Sequence, residues 1–302
     1  MSAAPVQTAA TSTRIDLRMG AFVWWDLEST QVTPDHLRRV LTAEGLLATP
    51  GDEDGKYKVP DIDPVGAIKR ACQEWGQGRG NADRFKAEVT AQEPGRVYVG
   101  ILRHEREGQR EVAWKQQETL CYDLTTKTWT NQFPSDQASA FMGVVDGFVT
   151  YLDHRWIRPF ILLPELAKMK AIGLKKNGGF YFVALSQDDK LRRLKRVIGA
   201  LGRSVLNIVT VENDADSRDA VANGTREHVL GQVAEIRATL KEWRDSSRKI
   251  RTDSQATALG QLAELLDIAG LYEGALEVSL NDLRGEIEGA RADALALIAE
   301  KG

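Results

Sequence analysis

Residues 262–297 read LAELLDIAGLYEGALEVSLNDLRGEIEGARADALAL and carry a heptad pattern of apolar residues. Such spacing places an apolar stripe along one side of a helix, and another helix must cover that stripe. The segment therefore predicts helices that pack against each other or against a partner. Steps of four and three from Leu262 lead in turn to Leu266, Ala269, Glu273, Leu276, Leu280, Leu283, Ile287, Ala290, Ala294 and Leu297, of which only Glu273 is not apolar.

A second heptad stripe precedes the first and is out of phase with it. Continued from Ile250, the earlier pattern would reach Gln261, whereas the later pattern uses Leu262. We therefore predict two long helices joined near residues 251–256 and folded into an antiparallel, coiled-coil-like hairpin over residues 214–302. The side chains predicted to form a protein interface on this hairpin are Val229, Val233, Ile236, Leu240, Trp243, Leu276, Leu280, Leu283 and Ile287.

Two pairs of glycines lie four residues apart inside the later stripe, Gly270 with Gly274 and Gly285 with Gly289. A glycine inside a helix costs roughly 1 kcal/mol relative to alanine. We expect such residues where another backbone approaches closely, which again indicates a packing surface.

The residues before the hairpin predict a mixed α+β body. Ala21–Leu27 is aromatic and β-prone, and Thr33 and Asp63 each precede a proline in the way that helix N-termini often begin. Three alternating segments and a short fourth near residues 127–131 predict an antiparallel meander. The three longer segments are residues 84–91, 96–106 and 109–123.

Two short apolar runs flank an amphipathic helix in the centre of the chain. GFYFVAL (179–185) and VLNIVTV (205–211) have the composition of buried strands. The strand–helix–strand order favours a parallel crossover and leaves an antiparallel arrangement open. We thus predict an α+β fold with a disordered tail over 1–13, a globular body over 14–213 and the helical hairpin after it. Sub-boundaries within the body are expected near 76–83 and near 133.

Composition narrows the class of protein. Apolar residues make up 42% of the chain and charged residues 27%, as in ordinary globular proteins. No run approaches the roughly 18 apolar residues of a membrane-spanning helix, and residues 1–13 lack the features of a secretory signal. Cys72 and Cys121 provide no disulfide framework. We expect a cytoplasmic protein that has no membrane partner and no cofactor.

Charge is unevenly distributed along the chain. Residues 155–203 hold twelve Lys and Arg against three acids, whereas the whole chain has a net charge of −3. Clustered cations bind phosphates, and aromatic side chains such as Phe180, Tyr181 and Phe182 can stack on unpaired bases. Instead of a nucleic acid, these cations could bind an acidic protein partner or the acidic C-terminal helix of another copy. They could also simply form the solvated face of a helix. The candidate polyanion-binding residues are Lys168, Lys170, Lys175, Lys176, Lys190, Arg192, Arg193, Lys195, Arg196 and Arg203.

An acidic run over residues 212–219 is the candidate metal site, with Glu212, Asp214 and Asp216 as possible ligands. Clustered carboxylates suit magnesium or calcium. The alternative is that these acids cap the following helix and interact favourably with its dipole. The four histidines are far apart in sequence and no catalytic motif is present, so no catalytic residue is assigned.

The sequence therefore predicts a non-enzymatic interaction or assembly protein, in which the C-terminal hairpin mediates self-association or docks a protein partner. The alternative is a nucleic-acid-binding protein that uses the basic residues between 168 and 203. A divalent-metal-dependent enzyme that uses residues 212–219 is the third possibility.

Overall fold

The computed structural model describes residues 18–75, 85–107, 110–175, 179–246 and 249–301. The predicted tail over residues 1–13 lies outside them. The strands are β1 Arg18–Asp26, β2 Gln31–Val32, β3 Phe85–Glu93, β4 Arg96–Glu107, β5 Arg110–Asp123, β6 Thr128–Trp129, β7 Leu152–Asp153, β8 Ile172–Gly173, β9 Tyr181–Ala184 and β10 Val205–Glu212. The helices are α1 Pro34–Ala43, α2 Pro64–Trp75, α3 Asp136–Thr150, α4 His154–Ile157, α5 Leu163–Lys168, α6 Asp188–Gly199, α7 Ala215–Asp245, α8 Thr252–Leu276 and α9 Asn281–Lys301. The mixed α+β prediction is confirmed.

The chain forms two compact units. The first contains the residues up to Asp26, Pro164–Arg196 and the residues from Val205 onward, and the second contains Leu27–Leu163 and Val197–Ser204. The predicted boundary at residue 214 therefore falls inside the first unit. The reason is that the sheet and the C-terminal helices share one apolar core, which contains both Phe182 and Tyr272.

The first unit is built on a four-stranded sheet in the order β10-β1-β9-β8. Strand β1 pairs antiparallel with β10 on one side and with β9 on the other. Because both neighbours run opposite to β1, β9 and β10 are parallel to each other and α6 lies in the connection between them. The predicted strand–helix–strand unit is thus present, with β1 inserted between its two strands.

The second unit contains the predicted meander, a sheet in the order β3-β4-β5-β6 with antiparallel neighbours throughout. It shares a core with α2 and α3, in which Ile68, Val99, Leu120 and Phe141 are fully buried. The helix starts predicted from sequence are also observed: for example, the Thr33 hydroxyl accepts a hydrogen bond from the His36 backbone N–H, 3.3 Å away.

Three C-terminal helices are present where the sequence predicted two. Helix α8 ends at Leu276 because Glu277 adopts the left-handed conformation (φ 54°, ψ 35°), and α9 begins at Asn281. The four-and-three spacing of buried apolar residues continues through this turn. Leu276, Leu280 and Leu283 are all fully buried, although Leu280 lies between the two helices. A heptad pattern therefore cannot reveal this turn, and α7, α8 and α9 each pack against the other two.

Tyr272 joins the helices of the first unit to its sheet. Its ring lies 5.9 Å from that of Phe182, and its hydroxyl lies 2.9 Å from the carbonyl oxygen of Lys170 and 3.2 Å from that of Phe182. The side chain is fully buried. Burial raises the pKa of Tyr272, so the hydroxyl stays protonated and can donate to these carbonyls.

Replacing Tyr272 by phenylalanine should lower the free energy of unfolding by about 1–2 kcal/mol, because a buried and a partly buried carbonyl lose their shared donor. Tyr122 provides a matched control: it is also buried, but its hydroxyl has no hydrogen-bond partner among the described residues. Tyr122→Phe should therefore be neutral within about 0.5 kcal/mol, or stabilising. Urea denaturation of both variants tests this, and equal losses would contradict the role assigned to the Tyr272 hydroxyl.

The turn between α8 and α9 gives a second test. Glu277→Gly should raise the free energy of unfolding by about 0.5–1 kcal/mol, because glycine adopts the left-handed conformation without strain. Glu277→Ala removes the same carboxylate but keeps the Cβ atom, so it should give no gain. Urea denaturation should separate the two variants; if alanine stabilises as much as glycine, charge rather than backbone strain explains the effect.

Candidate functional site

The residues predicted to form a helical interface lie inside the protein. Eight of the nine are at most 7% exposed, and Trp243 packs against the same core as a half-buried side chain. The stripe is covered by the helices of the chain itself, so the structure does not present these side chains to a partner. The eight are Val229, Val233, Ile236, Leu240, Leu276, Leu280, Leu283 and Ile287.

The glycine pairs do not mark a close approach of two backbones. A Cβ atom at Gly274 or Gly285 would meet nothing within 4 Å. At Gly270 it would lie 3.2 Å from the Arg284 guanidinium, and at Gly289 the nearest group is again an arginine side chain. The prediction of a backbone contact at these glycines is therefore wrong.

The acidic side chains of the C-terminal helices form ion pairs within the chain. Asp282 lies 3.1 Å from Arg226, and Glu286 lies 2.8 Å from Arg237. Both arginines are on α7, so these pairs bridge α7 and α9. The acidic face predicted to meet another copy is thus partly neutralised inside the bundle.

A different surface of the first unit, the outer edge of β10, has backbone groups that form no hydrogen bonds to another described strand. This strand pairs with β1 along one edge, and no other described strand pairs with it. Its sequence is VLNIVTVE, which contains no proline and no charge before Glu212. Backbone donors and acceptors along such an edge can pair with another strand.

Apolar side chains beside this edge are exposed to solvent. Val205 is 47% exposed and Val209 is 49% exposed. Val209 pairs with Phe22, and Asn207 pairs with Trp24, which is itself 36% exposed. Because directly paired residues share a face and alternate residues of a strand do too, all five lie on one face of the sheet.

The other sheet edges among the described residues are protected in ways that β10 is not. The edge strands β8 and β6, and both strands of the small β2-β7 sheet, are only two residues long. Strand β3 carries Lys86, Glu88 and Glu93, and charges on an edge strand oppose pairing with a further strand. The edge of β10 is eight residues long and almost uncharged.

The predicted polyanion-binding residues are partly used in internal ion pairs. Lys168 and Arg193 both contact Glu165, at 2.8 and 3.4 Å, and Glu165 is only 1% exposed. Two more of the ten, Lys170 and Arg192, pair with Asp267 and Asp188. Lys176 lies outside the described residues, and Arg203 belongs to the second unit.

The three aromatic residues predicted to accompany these cations point to opposite faces of the sheet. Tyr181 stacks on Trp25 with ring centroids 5.5 Å apart. Phe180 and Phe182 lie on the other face, where both contact Phe22. Helix α6 lies against the face that carries Val183, opposite to the two phenylalanines. Nucleic-acid binding by this segment stays a prediction.

The acidic run at residues 212–219 begins helix α7. Asp214 is its N-cap, and its carboxylate accepts hydrogen bonds from the backbone N–H and the hydroxyl of Ser217, both 2.8 Å away. These hydrogen bonds lower the pKa of Asp214. Among the described residues, no group of three or more His, Cys, Asp or Glu is placed to hold a metal ion. The geometry therefore matches the alternative in which these acids cap helix α7.

Three of the side chains that could serve in acid–base or nucleophilic chemistry are either held protonated or in contact with other groups of the fold. Burial, together with the charge of Glu88, raises the pKa of Cys72 to about 11, so its thiol is protonated at neutral pH. His36 lies 2.8 Å from the carbonyl oxygen of Ala200. His104 packs on Trp114, with ring centroids 5.1 Å apart.

Comparison with models of protein families gives a match over all of the described residues. A model described as "Family of unknown function (DUF6744)" matches residues 18–301. The chain belongs to the DUF6744 family. No curated protein and no solved structure matches the chain. The match to the DUF6744 model includes every described helix and strand of both units. Among the described helices, none combines the length and apolar character needed to span a membrane.

The buried carboxylate of Glu165 allows a test of whether its two cations serve the fold. Glu165→Gln should lower the free energy of unfolding by about 2 kcal/mol, because Lys168 and Arg193 lose a buried charged partner. Asp267→Asn is the matched control, since Asp267 pairs with Lys170 at an exposed site, and should cost less than about 0.5 kcal/mol. Urea denaturation measures both; equal losses would contradict a structural role for Glu165.

Proposed function

We propose that this member of the DUF6744 family is an assembly protein that associates with a second copy of itself through the outer edge of β10. The observation that carries the proposal is the combination of a nearly uncharged edge, with which no further described strand pairs, and the exposed side chains of Val205 and Val209 on the same strand. The proposal keeps the non-enzymatic function predicted from sequence. It moves the interface from the helical hairpin to the sheet.

Pairing of two β10 edges would fix the orientation of the two copies and bury apolar side chains between them. Hydrogen bonds between two edge strands satisfy backbone groups that otherwise face water, and alternate side chains pack across the new pair. The exposed face adjoining the edge adds Trp24 and the half-buried Phe22 to the apolar surface available for contact. An exposed apolar edge strand without charged residues tends to pair with other chains and aggregate. A defined partner that covers the edge prevents this.

A second copy is the partner that best fits the charge pattern. In an antiparallel pair about a two-fold axis near Ile208, the uncharged residues of one strand face those of the other. The single carboxylate of each strand, Glu212, then lies at the far end of the pair, and the two are about 27 Å apart. No like charges meet, and a two-fold interface of this kind is self-complementary.

The solution mass tests the proposal. Light scattering coupled to size-exclusion chromatography should give about twice the chain mass of 33.4 kDa. Replacing both Val205 and Val209 by lysine should weaken association by more than about a hundredfold, because four ammonium groups would enter the apolar interface and the two at position 209 would be diagonal neighbours across the pair. The double variant should therefore run at the mass of one chain.

Two exposed leucines on the C-terminal helices provide the control. Leu230 is 41% exposed and Leu295 is 49% exposed, much like the two valines. The variant with Leu230→Lys and Leu295→Lys should keep the doubled mass. A wild-type chain that stays at 33.4 kDa over a wide concentration range would overturn the proposal. Dissociation by the helix lysines instead of the strand lysines would place the interface on the bundle and overturn it too.

A further inference from the structure

The first unit contains a cavity of about 160 Å³ between the sheet and α6. It lies where the parallel strands β9 and β10 approach their carboxyl ends, the region where ligands of α/β sheets often bind. The sheet contributes Arg18 and Thr210, whereas α6 contributes Asp188, Arg192 and Lys195. The α6 residues are spaced by four and three, so they lie on one side of the helix.

Positive charge dominates the lining of this cavity. Three cationic side chains face one carboxylate, that of Asp188. Asp188 accepts a hydrogen bond from Nε of Arg192 at 2.8 Å, and this contact leaves the terminal guanidinium nitrogens of Arg192 without a partner among the described residues. Lys195 makes no hydrogen bond or ion pair with any residue that the structure describes. Arg192 and Lys195 therefore offer donors to a ligand, and the formal charges of the lining side chains sum to +2 (three cations and one carboxylate).

We propose that this cavity binds a phosphate group, either inorganic phosphate or the end of a phosphomonoester. A phosphomonoester carries a charge of about −1.5 to −2 near neutral pH, which matches the lining. Guanidinium groups and a hydroxyl form the charge-assisted hydrogen bonds that phosphate oxygens accept. The volume is below the roughly 300–1,000 Å³ of sites that enclose drug-sized ligands, so a whole nucleotide does not fit.

The site differs from the metal site that the sequence predicted in the same part of the fold. The acids Glu212, Asp214 and Asp216 do not line the cavity, and Asp214 is engaged as the cap of α7. What faces the cavity from the helix is instead the cationic pair Arg192 and Lys195. These groups attract an anion and repel a divalent cation.

Titration of the full-length chain with inorganic phosphate tests the assignment. Isothermal calorimetry at constant ionic strength, with chloride as the replaced anion, should show saturable binding. Lys195→Gln should weaken that binding about tenfold, the loss expected for one charge-assisted hydrogen bond. A second titration with glycerol phosphate separates the two sources: binding there indicates an opening for an attached group, and binding of inorganic phosphate alone indicates a closed site.

Lys190 supplies the matched control, since it is an exposed lysine on the same helix that does not line the cavity. Lys190→Gln makes the same change in net charge and should alter the affinity less than about twofold. Melting temperatures of both variants check that each is folded. Equal effects of the two substitutions would show diffuse attraction and overturn the proposal, as would the absence of saturable binding at millimolar phosphate.

Discussion

The antiparallel pairing of β1 with both of its neighbours is the constraint on which the first unit depends. Because β1 runs opposite to β9 and to β10, those two strands must be parallel, and the connection between them must cross the sheet. Helix α6 lies in that connection. The shared location of the carboxyl ends of the two strands, where the cavity lies, follows from this arrangement. The strand order then places β10 at the edge of the described sheet.

The C-terminal helices complete the same core. Their apolar stripe is covered by α7, α8 and α9 themselves and by one face of the sheet, where Tyr272 packs on Phe182 and its hydroxyl reaches the carbonyl oxygens of two chain segments. A stripe that needs cover is often taken as a sign of oligomerisation. Here the chain's own helices and sheet cover the stripe, so the proposed self-association depends on the edge of β10.

The basic segment shows how one charge run can serve several purposes. The buried carboxylate of Glu165 pairs with the partly exposed side chains of Lys168 and Arg193, which stabilises the local fold. Arg192 and Lys195 line the cavity beside α6. Arg192 and Arg193 are adjacent on α6, yet they have different surroundings, because neighbouring side chains on a helix point in different directions.

Sequence patterns by themselves determined the class of fold and most of its elements. Alternation in β3–β5, the caps at Thr33 and Asp63 and the apolar runs of β9 and β10 are local signals, so they could be read without the structure. The turn at Glu277 could not be predicted, since it keeps the heptad phase. Tertiary structure alone decided which apolar residues stay exposed and which cations share a cavity. Both depend on pairing between strands far apart in sequence, as when Val209 comes to lie beside Phe22, and no local pattern records such a pairing.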